Sequence, residues 1–152
     1  MATLGWGRAV ALSATLALSA VTALGEASQK PTAEEGYTLS VFANSPAGQS
    51  KPDSLAVFEG HIYIGYGDGN APDGTDGKSN KIFEYDRSGH IVYSFTVKGH
   101  NDGMKLNPYT EKLWVLQNED SYPSLVVFDP ETRTKQVYTF AQMPTNGGGY
   151  DD

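Results

Sequence analysis

The chain has 152 residues, of which 39% are hydrophobic and 19% charged, which indicates a folded globular domain rather than a disordered chain. Its net charge of -7, without a basic cluster, argues against binding to nucleic acid or to anionic membranes, because both require a surface rich in Lys and Arg. The absence of cysteine excludes disulfides, cysteine nucleophiles and cysteine metal ligands.

Residues 1–27 have the pattern of a secretory signal peptide. Arg8 supplies a positive start, residues 9–24 are an uncharged apolar run, and small residues follow up to Ala27. The pattern predicts a secreted or periplasmic protein with no membrane attachment after cleavage. The alternative is an uncleaved N-terminal anchor, although the run is short for a spanning helix and has no cationic flank after it.

A polar stretch that contains Pro31 follows at residues 28–36, and we interpret it as a linker. Residues 37–42 then alternate between apolar and polar side chains and are rich in β-formers, which predicts a first strand. The next residues, 43–51, include Gly and Pro and are predicted to form a loop.

Two similar blocks of four short strands come next, each with Gly-, Asp- or Pro-containing turns between the strands. The predicted strands of the first block are 55–58, 61–65, 81–86 and 91–97. Those of the second block are 104–107, 113–116, 125–129 and 136–140. A period near 50 residues with four strands in each repeat is typical of β-propeller blades. The sequence therefore predicts an all-β, partial propeller.

The repeat can be checked residue by residue. Asp53, Asp102 and Asp151 are spaced by 49 residues, and the aspartates that close the third strands, Asp86 and Asp129, also correspond. Residues 92–95 match residues 137–140 in type. The predicted propeller domain spans residues 37–152, with one blade at about 52–99, a second at 101–146 and the start of a third at 147–152.

Two blades cannot close a ring, since propellers have about four to eight. The lone predicted strand at residues 37–42 resembles the outer strand that completes the last blade of a closed propeller. We therefore expect the chain to be the N-terminal portion of a longer protein. The alternative is a short protein that closes its ring by oligomerising.

In a propeller, the loops that lead into each first strand and those between second and third strands emerge on one face, the predicted top face. These loops contain nine of the 18 acidic residues. They are Asp53, Asp68, Asp73, Asp76, Asp102, Glu119, Asp120, Asp151 and Asp152. Such an acidic face suits a divalent cation or a cationic ligand.

Asp53, Asp102 and Asp151 are candidate metal ligands, because converging carboxylates repel one another unless a cation lies between them. The alternative is that each aspartate caps its own turn. Next to Asp102, the polar side chains of His100 and Asn101 are candidates for ligand binding. Further along the same face, candidate ligand-binding residues are also found in the second blade, namely Glu119 and Asp120.

Asp102-Gly-Met104, followed by Leu113-Trp-Val115, resembles the SMP-30/gluconolactonase propellers, and Phe128-Asp-Pro-Glu-Thr132 resembles NHL-type propellers. The first resemblance implies that Asp102 is a ligand of a divalent metal, Ca²⁺ or Zn²⁺. Two features depart from that family: Asn101 replaces the family's Pro, and Asp53 stands where the family has a Glu.

Three functions remain open from the sequence. The first is a secreted propeller that binds a small molecule or a protein through its acidic top face. The second is a divalent-metal-dependent hydrolase of the lactonase type, in which the metal would polarise a carbonyl and activate water. The third is a purely structural repeat scaffold. Whether the protein is an enzyme is left open, because a fold does not determine a function.

Overall fold

The computed structural model describes residues 30 to 141, which contain eight antiparallel β-strands and no helix. The strands are β1 (Pro52–Phe58), β2 (His61–Tyr66), β3 (Ser79–Tyr85), β4 (Ile91–Lys98), β5 (Asn101–Asn107), β6 (Lys112–Gln117), β7 (Ser124–Asp129) and β8 (Thr134–Thr139). Every strand of the two predicted blocks is present, so the all-β prediction is confirmed.

The strands form two four-stranded sheets in chain order, β1-β2-β3-β4 and β5-β6-β7-β8. Within each sheet, strands that follow one another in the chain are also hydrogen-bonded neighbours, as expected for consecutive antiparallel strands. This is the strand arrangement that two propeller blades would have. The number of blades and the closure of a ring stay predictions.

The strand predicted at residues 37–42 is wrong. These residues have no regular secondary structure and are largely exposed. Alternating side chains are not sufficient for a strand, because the backbone groups also need a neighbouring strand to pair with. The chain divides into two compact units at residues 39 and 40. In the first unit, the described residues form one turn, in which the Tyr37 amide donates to the Glu34 carbonyl at 3.1 Å.

The main core lies between the two sheets. Phe95 of β4 stacks on Phe128 of β7 with ring centroids 4.0 Å apart, and both side chains are buried. Around them are aliphatic and aromatic residues of both sheets: Ala56, Tyr63, Ile82, Val97, Met104, Leu113, Val115 and Val126. This burial holds the two sheets face to face and aligns their ends.

The register of the fourth strands corrects one detail of the repeat. Phe95 lies opposite Ile82 in the first sheet, and Tyr138 lies opposite Leu125 in the second. Phe95 is therefore equivalent to Tyr138, whereas the sequence match pairs it with Phe140. The two alignments differ by two residues, so they place the same face of the strand inward and cannot be told apart by alternation alone.

The outer faces of the two sheets differ. On the first sheet, Phe83 and Tyr85 are buried, and Ala43 packs against them. On the second sheet, Trp114 and Tyr138 are 43% and 44% exposed on a face with no cover among the described residues. The equivalent positions of the first sheet are covered by the second sheet.

The two ends of the sheets also differ. The hairpin end contains the tight turns within each pair of sequential strands, at residues 59–60, 86–90, 108–111 and 130–133. The loop end contains the β2–β3 loop, the short β4–β5 connection between the sheets and the β6–β7 loop, and it corresponds to the predicted top face.

The predicted signal peptide, the start of the third blade and Asp151 lie outside the described residues. Between residues 30 and 141, no helix is long and apolar enough to cross a membrane.

Candidate functional site

The connections at the loop end are joined by backbone hydrogen bonds. The Asn118 amide in the β6–β7 loop donates to the His100 carbonyl at 3.1 Å. The Gly99 amide in the β4–β5 connection donates to the Lys78 carbonyl in the β2–β3 loop at 2.8 Å. Three connections far apart in sequence are thus held together, which places their polar side chains around one site.

Asp53 and Asp102 occupy equivalent positions in this arrangement. The pairing register shifts at Asp53 in β1 and at Asp102 in β5, which is the mark of a β-bulge. A bulge bends the strand and redirects a side chain. The sequence predicts both aspartates just before their strands. In the structure, each is the second residue of its strand, β1 or β5, at the loop end.

Asp102 is largely enclosed, with a side chain that is 3% exposed. One carboxylate oxygen accepts a hydrogen bond from the Glu119 amide at 2.9 Å, and the other lies 3.4 Å from His100 Nε2. Asp102 therefore bridges to another loop instead of capping its own turn. Burial raises the pKa of Asp102 to about 6, against the lowering effects of the Glu119 amide and His100.

His100 has a defined tautomer in this environment. Its Nδ1 lies 3.0 Å from the Asn70 carbonyl oxygen. Because a carbonyl oxygen only accepts, Nδ1 carries the proton. In the neutral ring, Nε2 is then an acceptor that faces the carboxylate of Asp102. Two acceptors at 3.4 Å repel each other, so the arrangement is unfavourable unless the two groups share a proton or a bound donor lies between them.

Asn101 connects the two sheets. It is fully buried, and its Nδ2 lies 2.7 Å from Ser54 Oγ and 3.3 Å from Asp53 Oδ2, both on β1. Its Oδ1 accepts from Gln117 Nε2 at 3.3 Å. A Cβ atom at Gly65 would meet this amide at 2.5 to 2.8 Å, so glycine is needed there to make room.

Several buried amides at this end were not predicted from the sequence. They are Asn70, Asn80, Gln117 and Asn118. Asn118 Oδ1 accepts from the His100 amide at 2.8 Å, and its own backbone has φ of 55°. An Asn or Gln just after an apolar strand is a usable signal, because Asn tolerates positive φ and its amide can cap a neighbouring loop.

The other acidic residues of the predicted top face have different roles. Asp73 and Asp76 accept backbone hydrogen bonds within the β2–β3 loop, and those bonds lower the pKa of each carboxyl. Asp68 accepts from the Ser50 amide at 2.5 Å. These three residues organise their loop. Asp120 is exposed, and its charge, like that of Asp53, contributes to the raised pKa of Asp102.

The described residues were also tested as a metal site. Between residues 30 and 141, no group of three or more His, Asp or Glu side chains converges on one point. His100 and Asp102 form a pair only, and a structural or catalytic metal usually has at least three protein ligands. These residues do not complete the divalent-metal site that the family resemblance implies. Metal binding stays a prediction.

No protein-family model, no curated protein sequence and no solved structure matches this chain. The fold assignment therefore rests on the strands themselves. The resemblance to SMP-30/gluconolactonase propellers stays an expectation drawn from short motifs.

Proposed function

We propose that the chain is part of a secreted β-propeller that binds a ligand at the loop end, with His100 and Asp102 as its polar centre. The observation that carries the proposal is this buried pair, in which two acceptors face each other. A structural scaffold gains nothing from such a pair, because an amide at position 102 would satisfy the same neighbours without a charge.

The charge around the pair indicates the kind of ligand. The charges of Asp53 and Asp120 both act on Asp102, and His100 is the basic side chain in contact with Asp102. A ligand with a cationic group or with several hydrogen-bond donors would replace the shared proton and reduce the repulsion between the carboxylates. The site therefore favours a polar or cationic small molecule, or a protein side chain of that chemistry.

The test compares Asp102→Asn with Asp86→Asn. Asp86 is a matched control, since it also contacts a histidine, His90, at 3.2 Å but lies in an exposed turn at the hairpin end. Backbone NMR shifts are recorded while a panel of small organic cations and polyols is added. We expect shifts around residues 99–102 and 118–120 that disappear in Asp102→Asn and persist in Asp86→Asn. Shifts that are unchanged in Asp102→Asn would contradict the proposal.

The second candidate is the metal-dependent hydrolase. One observation favours it: His100 Nε2 and Asp102 Oδ1 lie 3.4 Å apart, so both could bind one divalent cation. When bound, the metal would polarise a carbonyl of the substrate. Calorimetry with Ca²⁺ and Zn²⁺ tests this function. The hydrolase should be rejected if neither ion binds, or if Asp102→Ala leaves the affinity unchanged.

A further inference from the structure

A second polar groove lies at the hairpin end, between the two sheets and away from the loop end. Its volume is about 550 Å³. It is lined from the first sheet by Phe58, Glu59, His61, Tyr63 and Glu84, and from the second by Thr110, Glu111, Asp129, Pro130, Glu131 and Arg133. The size is that of a pocket for a small molecule.

Glu84 lies at the floor of this groove and is 5% exposed. Its Oε2 is buried and has no hydrogen-bond partner among the described residues. Its Oε1 lies 2.7 Å from His61 Nδ1, but the contact lacks the geometry of a hydrogen bond. The Tyr63 hydroxyl also contacts the carboxylate: burial raises the pKa of this tyrosine, and so do the charge of Glu84 and a hydrogen bond with its side chain. A buried carboxylate with an unsatisfied oxygen costs free energy.

The equivalent position of the second sheet has no carboxylate. Glu84 lies opposite Tyr63 in the first sheet, and Val127 lies opposite Trp114 at the equivalent place in the second. Val127 is partly exposed on the outer face of the second sheet, whereas Glu84 lies on the face of the first sheet that the second sheet covers. Glu84 is a departure from the repeat that adds a charge to the interior, which points to a role in binding.

The rim of the groove is also acidic. Glu59, Glu111 and Glu131 line it together with the floor residue Glu84. The one arginine in the lining, Arg133, stacks on the Tyr93 ring at 4.2 Å. No ion pair joins this arginine to a carboxylate in the described part of the chain. The groove therefore has an excess of negative charge around an under-satisfied carboxylate.

We propose that this groove binds a small organic cation with a primary ammonium or guanidinium group, which pairs with Glu84 at the floor and with the rim carboxylates. Both groups supply several N–H donors to carboxylate oxygens, and the pairing would satisfy the buried Oε2. The same chemistry is offered by a free amine and by a Lys or Arg side chain of a protein. The groove is independent of the ligand proposed for the loop end.

The test uses agmatine and a blocked lysine, N-acetyl-lysine methylamide, as probes, with NMR shifts and calorimetry as readouts. Binding to wild type is compared with Glu84→Gln, Glu84→Val and the control Glu34→Gln, which changes an exposed carboxylate outside the groove. We expect agmatine to shift residues around His61 and Glu84. Its affinity should fall by about tenfold or more in both Glu84 variants and stay unchanged in Glu34→Gln.

Glu84→Val shows whether the carboxylate is structural, because valine occupies the equivalent place in the second sheet. We expect this variant to fold at least as stably as wild type. Three results would overturn the proposal. The affinity could be unchanged in the Glu84 variants, neither probe could cause shifts at the groove, or both variants could fail to fold. If agmatine binds more tightly than the blocked lysine, the natural ligand of the groove is a free amine. If the blocked lysine binds equally well, the ligand is a side chain of a protein. Asp102→Asn should not alter either result, which separates this groove from the loop end.

Discussion

The Asn101 side-chain amide donates a 2.7 Å hydrogen bond to the Ser54 hydroxyl, and this contact ties the first strand of the second sheet to the first strand of the first. It lies beside His100 and Asp102, so the same residues that join the sheets also support the site. The packing of the sheets and the geometry of the site should therefore respond together to substitution.

Asn101→Ala should lower the free energy of unfolding by about 2 kcal/mol. It removes the partner of the Ser54 hydroxyl and one of the two hydrogen bonds of the buried Gln117 Nε2, which keeps its bond to the Leu116 carbonyl. The loss of such buried hydrogen bonds costs about 1 to 3 kcal/mol. Denaturation in urea measures the change. Asn44→Ala, at an exposed position, is the control and should change stability by less than about 0.5 kcal/mol. Equal effects of the two substitutions would show that Asn101 does not join the sheets.

The pKa of Asp102 gives stability a specific dependence on pH. Burial raises this pKa from 3.8 to about 6, so between these values the folded protein binds more protons than the unfolded chain. Stability should therefore fall as the pH rises from about 4 to about 6, and then level off. The loss attributable to Asp102 is about 2 kcal/mol, after allowance for its partners.

Asp102→Asn should remove this pH dependence and be more stable than wild type at pH 8, because the amide can donate to His100 and accept from Glu119 without a charge. The difference between the two proteins from pH 4 to pH 8 isolates the effect. Asp73, Asp76 and Asp129 have lowered pKa values, so their contributions are lost only as the pH falls below about 4. A variant that is less stable at pH 8 would show that the ionised carboxylate is stabilising.

Phe128→Ala should cost about 3 to 5 kcal/mol, since it removes a buried ring that stacks on Phe95 at the centre of the core between the sheets. Phe140→Ala is the matched control, because this ring is more than half exposed, and its removal should have a small effect. Urea denaturation of both variants tests the assignment of the core. A small effect of Phe128→Ala would mean that the sheets do not pack on each other as described.

The outer face of the second sheet should cause self-association. Trp114 and Tyr138 are exposed there beside an apolar groove of about 490 Å³. The equivalent positions in the first sheet are covered by the next sheet of the repeat, so a second copy of the chain is the expected cover when the 152-residue chain is studied alone. Sedimentation velocity should show association that increases with concentration and is reduced by Trp114→Lys but not by Tyr37→Lys. A wild-type monomer at all concentrations would contradict this prediction.

The strands could be predicted because they are short, alternating and separated by turns. The pairing of residues 101–103 could not be predicted, because it depends on a β-bulge that the local sequence does not reveal. The strand at 37–42 was wrong because a strand requires a neighbour as well as a pattern. Within the site, His100 and Asp102 were predicted together as sequence neighbours. Asn70, which fixes the tautomer of His100 from 30 residues away, is brought there only by tertiary packing.

The measurement that tests the site most directly is the protonation of the His100 ring, observed by long-range ¹H–¹⁵N NMR between pH 5 and pH 8. We expect a proton on Nδ1 throughout this range and an Nε2 signal that differs between wild type and Asp102→Asn. A neutral His100 ring with its proton on Nε2, or an Nε2 signal that is the same with and without the Asp102 carboxylate, would contradict the shared-proton pair on which the proposed binding site depends.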